Sequence, residues 1–127
     1  MPVDLGRVER MILGQMNRIR SIGDLAVLLG ASPETLRKDF SRGKGMPLSD
    51  YLTFERVAKA KELLRSTNLN CKEICYEVGF SREDVGAHVF KRLTGITMTQ
   101  YRKCQEDNYG ANPAQLKQMF LESLKKQ

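Results

Sequence analysis

The chain has 127 residues, 41% apolar and 28% charged, with 21 basic against 15 acidic side chains, a net charge of +6 and a pI near 9.4. That is one domain's worth, or two very small lobes sharing a connection, and the basic balance favours a polyanionic partner, nucleic acid before an acidic membrane surface. Three cysteines, one histidine and no tryptophan leave little for a disulfide framework, a metal site or a catalytic triad, and no apolar run is long enough to span a bilayer.

In chain order, the start MPVDLGRVER has no signal-peptide layout, so a cytoplasmic protein is expected. Leu5, Val8, Ile12 and Ile19 give a helical stripe for a first helix. Ile22 to Leu29 is a short apolar helix stopped by Gly30. Ser32 caps the next, with Pro33 at its first position and Glu34 in its first turn; it runs to about Gly43. Pro47 opens a long helix to about Arg65, with Leu48, Leu52, Val57, Ala60, Leu63 and Leu64 buried. A short helix from Lys72 to Val78 stops at Gly79, and Ser81 caps a longer one to about Thr94. Thr97 begins another, ending near Lys103. Asn112-Pro113 starts a final amphipathic helix with Leu116, Met119, Phe120 and Leu124 on one face. No segment alternates at period two, so the fold class is all-α.

The chain repeats itself. FKRLTGITMTQY (Phe90 to Tyr101) matches FSRGKGMPLSDY (Phe40 to Tyr51) in its Phe, Gly and Tyr, fifty positions apart. Upstream, Leu25-Ala26, Gly30 and Ser32 match Ile74-Cys75, Gly79 and Ser81 at an offset of forty-nine, so one residue is inserted in the second turn or at its helix start. Each copy is two helices joined through a glycine turn. Ala26 and Cys75 are the small residues that let the helices cross, and Gly30 and Gly79 supply the left-handed turn. This is the helix-turn-helix pattern.

LAVLLGASPETLRKDFSRGKGMPLSDYL, RVAKAKELL and EICYEVGFSRED…FKRLTGITMTQYR together resemble the AraC/XylS family of bacterial transcription regulators, over about residues 5 to 103. The resemblance implies two helix-turn-helix subdomains on one long linker helix, each presenting a recognition helix to adjacent major-groove segments of double-stranded DNA. The expected divisions are 1–46, 47–66 and 67–103, with an extension helix over 104–127. A helix over 47–65 is roughly 28 Å long at about 1.5 Å per residue, and successive major-groove segments lie about 34 Å apart. One chain then reads two turns as a monomer. The site is asymmetric, because the two reading helices differ.

On the first recognition helix Leu36 and Phe40 face the core, leaving Glu34, Arg37 and Lys38 as base-reading candidates. Arg37 is the strongest, since guanidinium pairs two ways with guanine. Ser32, Arg42 and Lys44 are candidates for phosphate. On the second helix Glu83, Asp84, Ala87 and His88 are the base-reading candidates, and Ser81, Arg82, Lys91, Arg92 and Arg102 the phosphate candidates. Here the chain departs from the family. Val85-Gly86 replaces an aromatic pair, His88 stands where Arg is common, and Met98 replaces a proline. A mid-helix glycine costs about 1 kcal/mol against alanine and removes a packing side chain, so the first motif is expected to dominate and the second to make weaker or different demands on sequence.

Cys71 and Cys75 lie four apart with no third ligand nearby and read as core thiols; no metal and no cofactor is expected. Gly43-Lys44-Gly45 lacks the rest of a nucleotide loop, and an enzyme is not expected. The leading reading is a sequence-specific DNA-binding regulator, an activator that recruits RNA polymerase. The alternative is a helical protein-protein interaction module of the same fold with an eroded second DNA-reading motif. The C-terminal helix either packs on the second lobe or docks on a partner.

Overall fold

A computed structural model of the chain describes residues 3–103. The helix expected over 104–127 lies outside them. The described residues form seven α-helices and no strand: α1 (Leu5–Gly14), α2 (Ile22–Leu29), α3 (Pro33–Lys44), α4 (Leu48–Ser66), α5 (Cys71–Glu77), α6 (Glu83–Thr94) and α7 (Met98–Lys103). The all-α expectation holds.

Most boundaries have a local cause. Asp4 caps α1 by accepting from the amides of Gly6 and Arg7, and Ser21 caps α2 by accepting from Asp24. Ser32 caps α3, with Pro33 at the first position, where a missing N–H costs nothing. Asn70 and Glu73 form a reciprocal capping box on α5. Thr97 and Gln100 do the same for α7, with bonds of 3.1 and 2.9 Å. Gly30, Gly45 and Gly95 end α2, α3 and α6 in the left-handed conformation.

Four expectations need correction. Ile19 is buried but does not belong to α1, which ends at Gly14; a 3-10 turn over Met16–Arg18 follows and delivers Ile19 to the core. Pro47 is the residue before α4 rather than its first. Leu63 is only half-buried, whereas Phe54, Arg56 and Lys61 are buried, because the linker is flanked by a lobe on each side and has no fully solvent-facing stripe. Ser81 does not cap α6. The capping position is Arg82, whose side chain makes no capping bond.

The last correction places the inserted residue. The amides of Gly30 and Ala31 donate to Val27 and Ala26 carbonyls, and those of Gly79 and Phe80 donate to Tyr76 and Cys75, an offset of forty-nine. The Leu36 amide then donates to Ser32 and the Gly86 amide to Arg82, an offset of fifty. Ser81 is therefore the extra residue. From there the copies stay in frame: Gly45 to Ser41 matches Gly95 to Lys91, and Tyr51 to Pro47 matches Tyr101 to Thr97. The repeated Phe and Tyr form the same ring contact twice, Phe40 on Tyr51 at 5.0 Å and Phe90 on Tyr101 at 5.8 Å between centroids. Both pairs pin the helix after the left-handed glycine back onto the recognition helix.

The copies differ at the helix crossing. In the first, Ala26 is small and Leu36 fills the space; both are buried. In the second, Cys75 takes the place of Ala26, Phe80 that of Ala31, and Gly86 that of Leu36. A Cβ on Gly86 would stand 2.6 Å from the Cys75 sulfur and 2.9 Å from the Phe80 ring. α6 itself offers no packing side chain here, as its sequence implied, but the crossing is filled. The turn and α5 supply the filling side chains instead. Burial, with the Glu83 carboxylate and the Cys71 thiol as lesser causes, pushes the Cys75 thiol up to about 11, so it stays protonated.

Candidate nucleic-acid interface

Helices α3 and α6 are the second helices of the two motifs, and each packs on the linker α4. The buried faces, Leu36 with Phe40 and Gly86 with Phe90 and Leu93, set which side chains face out. On α3 the outward residues are Glu34, Thr35, Arg37, Lys38, Ser41 and Arg42, all exposed. Arg37 walls an open groove of about 230 Å³ with Ile22, Ser41, Pro47, Leu48 and Ser49. Ser41, one turn beyond Arg37, lines the same groove and was not among the sequence candidates. Ser32 is already engaged. Its hydroxyl accepts from the Thr35 amide at 3.2 Å and lies 2.9 Å from the Thr35 hydroxyl.

Lys44 does not project freely. It forms an ion pair with Glu9 of α1 at the end where α1 docks on α3. Gly43 belongs to that docking too, since Leu5 of α1 fills the space its Cβ would take. Asp39 of α3 accepts from the Val3 amide at 2.9 Å. The C-terminal half of α3 is thus partly committed to α1, and its uncommitted exposed surface is the N-terminal half around Arg37 and Lys38.

On α6 the outward residues are Glu83, Asp84, Val85, Ala87, His88, Lys91 and Arg92, again all exposed. Arg82 and Asp84 form a fork, Nε to Oδ1 at 3.0 Å and Nη2 to Oδ2 at 2.9 Å. Both are well exposed, so the pair adds little stability. Glu83 and Asp84 also have a local structural reason. The capping position gives α6 no side-chain acceptor, and two carboxylates in the first turn meet the positive end of its dipole. Lys91 and Arg92 sit in the last turn, where cations are favoured. Arg92 lies near Asp50 of α4, whose pKa is raised by burial and partly restored by that charge.

Arg102 is not outward-facing. Its Nε donates to the Leu64 carbonyl and its Nη2 to the Thr67 carbonyl, both at 3.1 Å. It closes the C-terminal end of α4, where carbonyls have no helical partner. The guanidinium expected on phosphate holds the linker to α7.

Two buried basic residues escaped the sequence reading. Lys61 is 5% exposed, with its ammonium 5.4 Å from the Tyr101 ring, and burial, then the Arg65 charge, lowers its pKa. Arg56 is 9% exposed, donates to the Ile19 carbonyl at 2.6 Å and lies 5.5 Å from the Phe80 ring. Burial first, and Arg20 second, bring its pKa down to about 10. It remains charged at neutral pH.

Comparison with known proteins gives the arrangement its context. A family profile described as a helix-turn-helix domain, of the AraC type, matches residues 25–104. The chain is 31% identical over 91 residues to the HTH-type transcriptional activator AarP of Providencia stuartii, covering 72% of this chain and 67% of AarP. It is 37% identical over 71 residues to the activator RhaR of Escherichia coli, covering 56% of this chain but 25% of RhaR. It also matches the uncharacterized regulator YfiF of Bacillus subtilis, at 34% over 89 residues, 70% of this chain and 27% of YfiF. The chain thus spans about a quarter of the length of two of these relatives and two thirds of the third. Among solved structures, the C-terminal domain of the response regulator yesN of Fusobacterium nucleatum superposes with a TM-score of 0.69 at 31% identity, over 77% of this chain and 96% of that one. The DNA-binding domain of AdpA, solved with a target DNA, superposes at 0.73 and 21% identity, over 85% and 96%; at that identity it speaks for the fold. With the repeated motif, the linker and these matches in agreement, the chain belongs to the AraC-type family of helix-turn-helix transcription regulators.

Proposed function

We propose that this chain binds double-stranded DNA as a sequence-specific transcription regulator, laying α3 and α6 in successive major-groove segments as a monomer. The observation that carries the reading is the repetition itself. Two motifs share their backbone hydrogen bonds at the turn and at the end of the second helix, stand on one linker of 19 residues and about 28 Å, and expose basic side chains on both second helices. Arg37 and Lys38 read bases on α3. Ala87 and His88 occupy the corresponding places on α6, with Glu34, Glu83 and Asp84 at the groove-entering ends. Arg42, Lys91 and Arg92 hold phosphates, with Ser32, Ser81 and Arg82 beside the helix starts.

Activation by contact with RNA polymerase, in the bacterial nucleoid, is the regulatory mode we assign; AarP and RhaR, both named activators, support it. The competing view of an eroded, protein-binding module drew on Val85-Gly86 and on the acidic pair Glu83-Asp84. The packing of Cys75 and Phe80 against Gly86 accounts for the glycine, and a place in the first turn of α6 gives the two carboxylates a structural reason. Selection of sites from a random DNA pool tests the proposal. An asymmetric motif covering two helical turns is expected, with log affinity falling by about 0.9 per phosphate contact for each unit of log salt. No enriched motif and a flat salt response would refute it.

A further inference from the structure

The linker is not the only thing joining the lobes. Arg20, between the 3-10 turn and α2, sends Nη1 to the Tyr76 carbonyl at 3.2 Å and the Phe80 carbonyl at 3.0 Å. Its guanidinium lies 4.3 Å over the Tyr76 ring. Arg56 reaches from α4 to the Ile19 carbonyl and toward the Phe80 ring. Between them Gly79 has φ +95°, and a Cβ there would stand 2.5 Å from the Met16 carbonyl oxygen and 2.8 Å from that of Ile19. The turn of the second motif therefore rests backbone against backbone on the first lobe, and these arginine bonds end on main-chain oxygens.

This contact changes what the linker can do. The linker, with each lobe packed along it, fixes the distance between the two lobes. A second attachment off the helix axis resists rotation of one lobe against the other. It is applied at the turn that aims α6, since Phe80 leads directly into Ser81 and the α6 start.

We propose that Arg20, seated against Gly79, is a positioning residue for DNA reading: it locks the phase between α3 and α6, so that the protein demands one fixed separation between its two half-sites. The proposal rests on the DNA-binding reading above. One added base pair moves the second half-site along the duplex and rotates it by about 34–36°, given 10–10.5 base pairs per turn. A locked pair of lobes cannot follow that rotation. A pair joined by the linker alone can.

The test uses the full chain and its selected site, with one base pair added to or removed from the centre. Wild type is expected to lose at least tenfold in affinity at either change. Arg20→Ala, at a half-buried position, is expected to bind the original spacing several-fold more weakly and to lose less than threefold at the altered ones. Gly79→Ala, which wedges the two backbones apart, is expected to broaden the spacing profile in the same way. A purely structural role for Arg20 would lower stability and leave the spacing profile unchanged, which overturns the proposal. A wild type that tolerates both spacings overturns it without any variant. Failure to select any site would instead sink the DNA-binding reading, and this inference with it.

Discussion

Replacing Gly86 by alanine tests the account of the second motif most directly. On an exposed helix face the change gains about 1 kcal/mol of helix propensity. Here the new Cβ would stand 2.6 Å from the Cys75 sulfur and 2.9 Å from the Phe80 ring, where unstrained non-bonded contacts need roughly 3.5–4.0 Å. Something must move by about an ångström. Overpacking of that kind costs about 1–3 kcal/mol. The net expectation is destabilisation by about 1 kcal/mol, opposite in sign to propensity alone. Cys75→Ala removes one buried heavy atom and is expected to cost about 0.5–1.5 kcal/mol, as other single-atom core deletions do. In the double variant the methyl introduced at position 86 enters the space the sulfur vacates. The contact with the sulfur is relieved, that with the Phe80 ring remains, and the propensity gain stays. The double variant is expected within about 1 kcal/mol of wild type, with a coupling of about 1–2 kcal/mol, inside the range seen for residues in contact. Urea titrations of the four proteins, followed by far-ultraviolet circular dichroism, measure it. Additivity within about 0.3–0.5 kcal/mol, or a stabilising Gly86→Ala, would refute the steric argument.

Arg37→Ala is expected to cost about 1–3 kcal/mol at the selected site and relax preference at one or two base pairs, whereas Arg42→Ala weakens all sequences alike; binding to specific and random duplexes separates the two. Scanning every base pair is expected to show costs below about 1 kcal/mol in the half read by α6, under the ~1–3 typical of read positions, because Ala87 offers no hydrogen bond and Arg82 is engaged with Asp84; equal costs in both halves would contradict this. Arg102→Ala is expected to lower stability by about 1–3 kcal/mol, as two carbonyls lose a charged donor, while the slope of log affinity against log salt stays unchanged; a slope shallower by about 0.9 would return Arg102 to a phosphate. The Cys75 thiol titrates near 11 in the folded chain against an ordinary 9.0, so the unfolded state loses its proton first and stability falls as pH rises from about 9 to 11. The loss from this group is at most about 2–3 kcal/mol, at roughly 1.36 kcal/mol per unit, and a Cys75→Ala chain whose urea midpoint fell just as steeply over that range would refute it.

The sequence made the local features legible and the cross-chain ones illegible, for a physical reason. Ser32, Gly30, Gly79 and the Phe–Gly–Tyr frame act within a few residues of themselves, so their chemistry could be read in place. Ser81 misled because serine before a helix is normally its cap, and one inserted residue moved that position to Arg82, which has no capping oxygen. Arg102 and Arg56 are surface-type residues whose partners lie 38 and 37 positions away, and Arg20 reaches 60. Periodicity carries no trace of such distances. Gly86 was legible as an oddity but not as a fit, because its neighbours come from the turn and from α5. The outward face of α3 was recovered from the spacing of Leu36 with Phe40, while the commitments of Lys44 and Arg82 to acidic neighbours needed coordinates.

The mismatch between the two helix crossings limits how the protein could be re-engineered or could diversify. Exposed residues such as Arg37 and Lys38 are transferable: written onto positions 87 and 88, they meet only solvent. A graft of the whole α3 segment into the second lobe is another matter. It would carry Leu36 into the space already held by Cys75 and Phe80, and the reverse graft would leave a hole beside Ala26. Reading specificity can therefore drift between the copies one outward residue at a time, whereas wholesale exchange of recognition helices requires the crossing residues to change together.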